Sequence, residues 1–403
     1  MNDLATPHLP RQDGPAGALP MPLEIPRARY LNEEFHRAEI EHVFRKSWLQ
    51  VGHVSEYERE GSYRLVDIPF APVIVVRGKD GMLRAFLNSC QHRGAAVVRD
   101  QHGCARVLSC PYHGWTYSLS GQLIGVTDEK SFPALDLHGR SLVSLRCELW
   151  CGFVFVNFDQ NAPALLDRLA PIVSRYSAIV DTPLRIVSKQ SWEVGCNWKI
   201  AVEAFRESYH LNLIHRQSVG LVLDGDLSKN VMYRNGHFSM QVPNRPRLQQ
   251  ATEWNANTQH STLRALPGME TSEFSEGFVI GGVFPNFHMS FQRPGFPLAR
   301  FWPLAIDRSR MDFTWYGADW GDGPRPAEWE SILAAFEVIV NEDIGNLASI
   351  QKSLEADPGK SVPLSTQEWL LYQMHAEIDK LIGAENMPDG LFMPDVLEDH
   401  LVS

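Results

Sequence analysis

Residues 90 to 113 read CQHRGAAVVRDQHGCARVLSCPYH: a Cys-x-His opening, Cys90 and His92, and a Cys-x-x-His close, Cys110 and His113. Thiolates and neutral imidazoles are metal ligands, so two of each in two short loops point to a metal centre. A tetrahedral zinc site accepts these residue types. Zinc fingers, however, usually pair Cys with Cys and His with His, whereas here each loop offers one of each. A binuclear iron-sulfur centre with both thiolates on one iron and both imidazoles on the other is served by mixed loops that each reach both irons. Gly94 and Gly114 follow the loops and Pro111 lies inside the second, which supplies the tight turns that let backbone N–H groups approach a charged cluster. His102 and Cys104 fit neither pair and read as ordinary loop residues. Cys147 and Cys151, in LRCELWCGFVFVNF, have no histidine nearby and read as core.

A second set of candidates lies in NWKIAVEAFRESYHLNLIH, residues 197 to 215. His210 and His215 stand about 140° apart on an ideal helix. Both reach one metal only if the helix breaks, and the break is expected near Leu211 and Asn212. Two histidines and a carboxylate that leave other positions open form the arrangement in which Fe(II) binds O2 beside a substrate. Val340-Asn341-Glu342-Asp343-Ile344 offers two acids for the third place, Asp343 and Glu342. Glu207 precedes His210 by three residues, so on a helix the two share a face and the carboxylate can accept the imidazole proton. Glu203, one turn earlier, is left open between a supporting partner and a surface charge.

The elements that must carry these groups follow from periodicity. Residues 1–29 read as an irregular arm and Leu31 to Trp48 as a helix docked on a domain. Short apolar runs, Ala71 to Val76, Leu83 to Leu87 and Cys151 to Phe158, read as an antiparallel β domain. Beyond Phe158, helices are expected over Pro163 to Ile179 and Asn197 to Ile214, with Asn197 as N-cap, and strands over Leu184 to Val194 and Phe278 to Phe291. A hairpin, Ala299 to Ala305 with Met311 to Tyr316, precedes a long helix over Pro326 to Leu354.

The whole chain limits the classes. Its 403 residues, 44% hydrophobic, bury a large core and suit two domains. The net charge of −11 and dispersed basic residues argue against nucleic acid. No apolar run approaches the ~18 residues of a membrane span. The N-terminus has no signal-peptide pattern, and six cysteines make no disulfide framework, so a cytoplasmic location is expected.

CQHRG with CPYHGW resembles the Rieske loops of ring-hydroxylating oxygenases. Asn-Trp-Lys at 197, Tyr-His-x4-His at 209, and the acidic pair leading to Gln351 resemble the catalytic domain of their α subunits. Respiratory Rieske proteins carry a further cysteine in each loop, and the matching positions here are Ala95 and Tyr112. The resemblance runs from about Tyr30 to about Leu371, and the residues beyond add little. It implies an α+β protein: an antiparallel β Rieske 2Fe-2S domain over 47–158, and a helix-grip (START/Bet v 1-like) catalytic domain over 159–403 with an antiparallel sheet and a long C-terminal helix. Residues 1–46 would be an arm and helix packed on the catalytic domain.

By the same resemblance, Cys90, His92, Cys110 and His113 hold the cluster, and His210, His215 and Asp343 hold one Fe(II), with Glu342 the rival to Asp343. Glu207 stands where the family has an acid, often Asp, that joins the cluster histidine of one subunit to the iron histidine of the next. The implied activity is O2-dependent hydroxylation of an aromatic or other hydrophobic cyclic substrate by a homotrimer, with or without a separate β subunit. Its electrons come from NAD(P)H through a reductase or ferredoxin. Two alternatives stay open: demethylation or C–N cleavage of a quaternary ammonium or methylated substrate, and a non-catalytic Rieske electron carrier. A zinc-stabilised binding module is a third and would be colourless. For the substrate, Phe274, Phe278, Val283, Phe284, Phe287, Met289 and Phe291 are either cavity lining or sheet core. Arg216, Arg234, Arg245, Arg247 and Arg293 are candidates to clamp a carboxylate or are surface charges.

Overall fold

The computed structural model describes residues 21–402 apart from 134, 135, 138, 246–262, 270–273 and 275. The chain forms two compact units, Phe44–Asp167 and a second one built from the residues up to Val43 and from Arg168 onward. These divisions fall near, but not at, the expected boundaries of 46/47 and 158/159.

In Phe44–Asp167 a seven-stranded antiparallel sheet runs in the order Leu49–His53, Phe153–Asn157, Ser144–Trp150, Leu83–Leu87, Ala71–Arg77, Ser62–Ile68, His102–Cys104. The β-branched run Val73, Ile74, Val75 and Val76 is fully buried, as a central strand packed on both faces requires. A second sheet of three short strands, Leu108–Ser109, Thr116–Tyr117 and Leu123–Gly125, flanks the Cys110 loop. Cys147 is half-buried rather than core. Cys151 is a turn residue: with φ 47 it joins Gly152, φ 82, in the two-residue link between Trp150 and Phe153. Two positive φ values match the right-handed twist of a hairpin, so the strand expected from Cys151 starts at Phe153 instead.

The second unit holds another seven-stranded antiparallel sheet, in the order Leu184–Val194, Arg308–Ala318, Gly295–Ala305, Phe287–Phe291, Gly277–Val283, Phe238–Pro243, Lys229–Met232. The single strand expected over Phe278 to Phe291 is thus a hairpin, turning at 284–286. The helix Trp329–Ala356 packs on this sheet: Phe336 meets Trp315 at 5.2 Å and Phe313 at 5.2 Å between ring centroids. Its buried residues Ile332, Phe336, Val340, Asp343, Leu347, Gln351 and Leu354 recur every three or four positions, which is one face. A sheet gripping a long helix is the architecture the resemblance implies.

Residues 31–48 do not make one regular helix. An α-helical turn over Glu33–Ala38, capped by Asn32, passes into wider π-type turns over Glu39–Phe44. The widening accompanies Glu39, which is fully buried, pairs with Lys199 Nζ at 2.7 Å and accepts from Trp198 Nε1 at 3.0 Å. The Trp-Lys of the Asn-Trp-Lys motif therefore ties the arm to the catalytic unit. The C-terminal residues also contribute more than the sequence promised. The helix Trp369–Ile382 carries Asp379, which takes a bidentate pair from buried Arg29 at 2.6 and 3.1 Å, and His375, whose Nδ1 accepts from Arg29 Nε at 2.9 Å. His375 Nε2 and Tyr30 OH then donate to Glu203 at 2.8 and 2.9 Å. Burial pushes the Glu203 carboxyl up to about 8, so Glu203 is a supporting polar group and not a surface charge.

Candidate metal centres

In the first unit, the two loops enter the core by their cysteines. Cys90 and Cys110 are buried within a cluster that includes Ile74, Phe86, Trp115 and Tyr117. Each loop closes on itself: Gly94 N donates to Cys90 O at 2.8 Å and Gly114 N to Cys110 O at 3.0 Å, with φ of 76 and 71 that suit glycine. The imidazoles leave the core and meet, His92 Nδ1 lying 3.1 Å from His113 Nδ1. His92 also stacks on Trp115, rings 5.0 Å apart and 11° from parallel. The Tyr117 hydroxyl sits 3.2 Å from Cys90 Sγ and accepts from Gln91 N at 3.0 Å. Burial, with Cys110 acting in the same sense, holds the Cys90 thiol above its ordinary value. Two dry thiols and two facing ring nitrogens are the donor set a binuclear cluster requires. His102 and Cys104 lie on the edge strand His102–Cys104, away from this convergence. Cys110→Ser is expected to bleach the visible spectrum of the purified protein, and a variant of unchanged colour would remove these ligands from consideration.

In the second unit, the helix that starts at the Asn197 N-cap ends after Glu203, earlier than the break expected at Leu211. Residues 204–206 tighten into i→i−3 turns, 207 and 208 leave the helical path, and a short helix, Leu211–Ile214, follows. Glu207 consequently does not share a helix face with His210. Its carboxylate folds over the next turn, accepting the backbone N–H groups of Tyr209 and His210 with one oxygen and meeting His210 Nδ1 with the other.

The unwound segment turns His210 and His215 toward one point, where Asp343 joins them. The three offer ligand atoms that all lie within 4.8 Å of one another. Asp343 Oδ1 is 3.1 Å from His215 Nε2 and 3.5 Å from His210 Nε2. Glu342 faces elsewhere: its carboxylate meets His215 Nδ1 at 2.7 Å and accepts from Ser218 Oγ at 2.5 Å. Each imidazole therefore has a carboxylate on Nδ1, which favours a proton there and leaves Nε2 available to a metal. Burial alone would lower both imidazoles, yet the surrounding carboxylates prevail and hold both above the ordinary value. A divalent cation suits this convergence better than shared protons do, and a mixed nitrogen and oxygen set with two neutral ligands and one anion fits Fe(II).

The helix Trp329–Ala356 places Asp343 by a second attachment. Gln351 Oε1 accepts from Asn197 N at 3.0 Å, so the helix is registered against the start of the histidine segment. Gln351 and Asp343 are about 12 Å apart along the axis.

A cavity of about 460 Å³ opens at the triad. Phe205, Leu211, Phe278, Ile332 and Phe336 give it an apolar wall. From the aromatic-rich stretch, Phe274 and Phe278 line it, whereas Val283, Phe287, Met289 and Phe291 on the strands and Phe284 in the turn between them are buried outside it. Among the five arginines, Arg293 lines the cavity. Arg216 is exposed, Arg234 pairs with Glu398 at 2.6 Å, Arg245 donates to Asn212 Oδ1 at 2.6 Å, and Arg247 lies outside the described residues. The supporting place of Glu342 was not legible in the sequence, because adjacent helix residues point about 100° apart and only packing selects which one faces in.

Two known domain families match the chain. Residues 47–137 match the Rieske 2Fe-2S domain family, and residues 182–384, half of the chain, match the catalytic domain of the ring-hydroxylating α subunit. The chain is 37% identical over 187 residues to the chlorobenzene dioxygenase subunit alpha of Cupriavidus sp. (strain PS12), covering 45% of this chain and 42% of that one. It is 33% identical over 193 residues to the carnitine monooxygenase oxygenase subunit of Acinetobacter pittii (strain PHEA-2), covering 47% and 52%. The chain thus spans about half the length of these relatives. Its fold superposes on a quaternary ammonium Rieske monooxygenase with inhibitor bound at a TM-score of 0.75 and 22% identity, over 89% of this chain and 95% of that one. No helix among the described residues is long and apolar enough to cross a membrane.

Proposed function

The chain belongs to the ring-hydroxylating α-subunit family, and from that membership we propose that it is the oxygenase component of a multicomponent Rieske oxygenase. Cys90, His92, Cys110 and His113 would hold the 2Fe-2S cluster, and His210, His215 and Asp343 the mononuclear Fe(II). When bound, the cluster supplies single electrons and the Fe(II) supplies O2 activation beside the substrate. The observation that carries the reading is the convergence of two histidines and one buried aspartate at an apolar cavity, in a chain that also has a Rieske domain.

The chain's own residues do the positioning. Glu207 and Glu342 hold the imidazole protons at Nδ1, and the apolar wall excludes water and orients a ring-sized substrate. The substrate is an aromatic or other hydrophobic cyclic compound, oxidised with electrons drawn from NAD(P)H through a separate reductase or ferredoxin. A homotrimer brings Glu207 against the cluster histidine of a neighbouring chain, and all six cysteines are unpaired, which suits a cytoplasmic location. A second reading, oxidation of a quaternary ammonium compound, is favoured by the likeness to a carnitine monooxygenase oxygenase subunit and by Glu rather than Asp at position 207.

Iron content tests the proposal against a plain electron carrier. The purified protein is expected to hold roughly three irons per chain, two in the cluster and one at the triad, and to need O2 and a reductase for turnover. A count of two with no product would identify a carrier instead.

A further inference from the structure

One wall of the cavity carries polar groups that the metal centre does not use. Side chains alternate along a strand, and register pairs Ser290 with Ile280 and Ile280 with Met240, in one row across the sheet. Two residues along the strand direction, Val242 and Phe278 pair in the next row, and Gln292 lies two residues beyond Ser290. All six line the cavity. Two strands thus offer the cavity Met240, Val242, Phe278 and Ile280, while the third offers a hydroxyl and an amide. Arg293, in the turn beyond, prolongs that edge.

The polar edge is open to the cavity. Among the described residues, neither the Ser290 hydroxyl nor the Gln292 side chain has a hydrogen-bond partner, and no carboxylate pairs with Arg293. Apart from the triad and Glu207, Arg293 is the one charged side chain lining the cavity among the described residues. A guanidinium presents N–H groups in a planar fork matched to a carboxylate, whereas a hydrocarbon gains nothing from it and a cation is repelled.

We propose that Arg293, with Gln292 and Ser290, is the recognition subsite for a substrate carboxylate. The substrate class is then an apolar, ring-sized organic acid whose ring lies toward His210, His215 and Asp343 and whose carboxylate lies at Arg293. This rests on the oxygenase reading and narrows it. Arg293 is exposed, so its pairing is screened and the discrimination is moderate.

The test is calorimetric binding of 3-phenylpropionate and its isosteric amide, 3-phenylpropanamide, to the full-length, iron-loaded protein under anaerobic, low-salt conditions. The acid is expected to bind roughly three- to fivefold more tightly than the amide. In Arg293→Gln, with visible colour and iron content intact, the acid should fall to the level of the amide while the amide changes by less than about twofold. Equal binding of acid and amide to the parent, a preference that survives Arg293→Gln, or failure of both probes to bind at millimolar concentration would each overturn the proposal. Tighter binding of 3-phenylpropyl-trimethylammonium than of the acid would do the same. Because the ratio is measured without turnover, a missing third iron or absent product would sink the oxygenase reading separately.

Discussion

Asp343→Ala is expected to yield a protein that keeps the colour of its cluster, holds about one iron fewer per chain, and forms no product. Asp343 is the anionic member of the triad, and its Oδ1 lies 3.1 and 3.5 Å from the two Nε2 atoms. Removing it leaves two neutral imidazoles, which hold a divalent cation far more weakly than a set that neutralises part of its charge. The fold should tolerate the change, since alanine has the highest helix propensity and the position lies inside the helix Trp329–Ala356. His210 and His215 keep their outer carboxylates, Glu207 and Glu342. Metal analysis, the visible spectrum and a product assay separate the outcomes. Retained iron and turnover would move the ligand role to Glu342, which would first have to release His215 and Ser218.

Glu207→Gln should leave both iron sites filled and the cluster reducible by its partner, yet slow cluster reoxidation by O2 in the presence of substrate by orders of magnitude. The Glu207 carboxylate serves His210 Nδ1 with one oxygen and two backbone N–H groups with the other. An ionised carboxylate accepts at about four lone-pair sites, so it has capacity for one more imidazole, and the proposed occupant is His113 of a neighbouring chain. Glutamine has one oxygen. Whichever way its amide is turned, an NH2 group faces a donor, with an unpaired N–H costing about 1 to 3 kcal/mol. Shape and iron binding survive while the charge and the two-sided acceptor are lost, so the effect should appear in electron transfer rather than in metal content. Stopped-flow reoxidation and single-turnover product yield read it directly, and a parent-like rate in the variant would show that electrons take another route.

The proposed ligands of the first centre are legible in the sequence because each pair is local. A Cys-x-His and a Cys-x-x-His, each closed by a glycine at positive φ, build their loops from contiguous residues, and a short chain segment has few ways to present two ligands. The Asn197 N-cap and the strand Leu184–Val194 were legible for the same reason: capping and period-two patterning act over a few residues. His210 and His215 could be named from their spacing, but the mechanism of their convergence could not. The chain unwinds from residue 204 onward, not at 211, and Glu207 reaches His210 across a turn rather than along a helix face. Nothing local distinguishes Asp343 from Glu342. Rotation of a helix about its axis decides which of two adjacent side chains faces inward, and that rotation follows from packing Phe336 on Phe313 and Trp315 of the sheet and from Gln351 on Asn197, the last a contact across 154 residues. Distance in sequence likewise hid the C-terminal helix, whose Asp379 meets Arg29 across 350 residues. It also hid which of five arginines borders the cavity. Composition and spacing determine which atoms are available and what metals they prefer, since these are properties of residue types. Which of those atoms meet is a property of long-range packing, and the folded chain alone decided it.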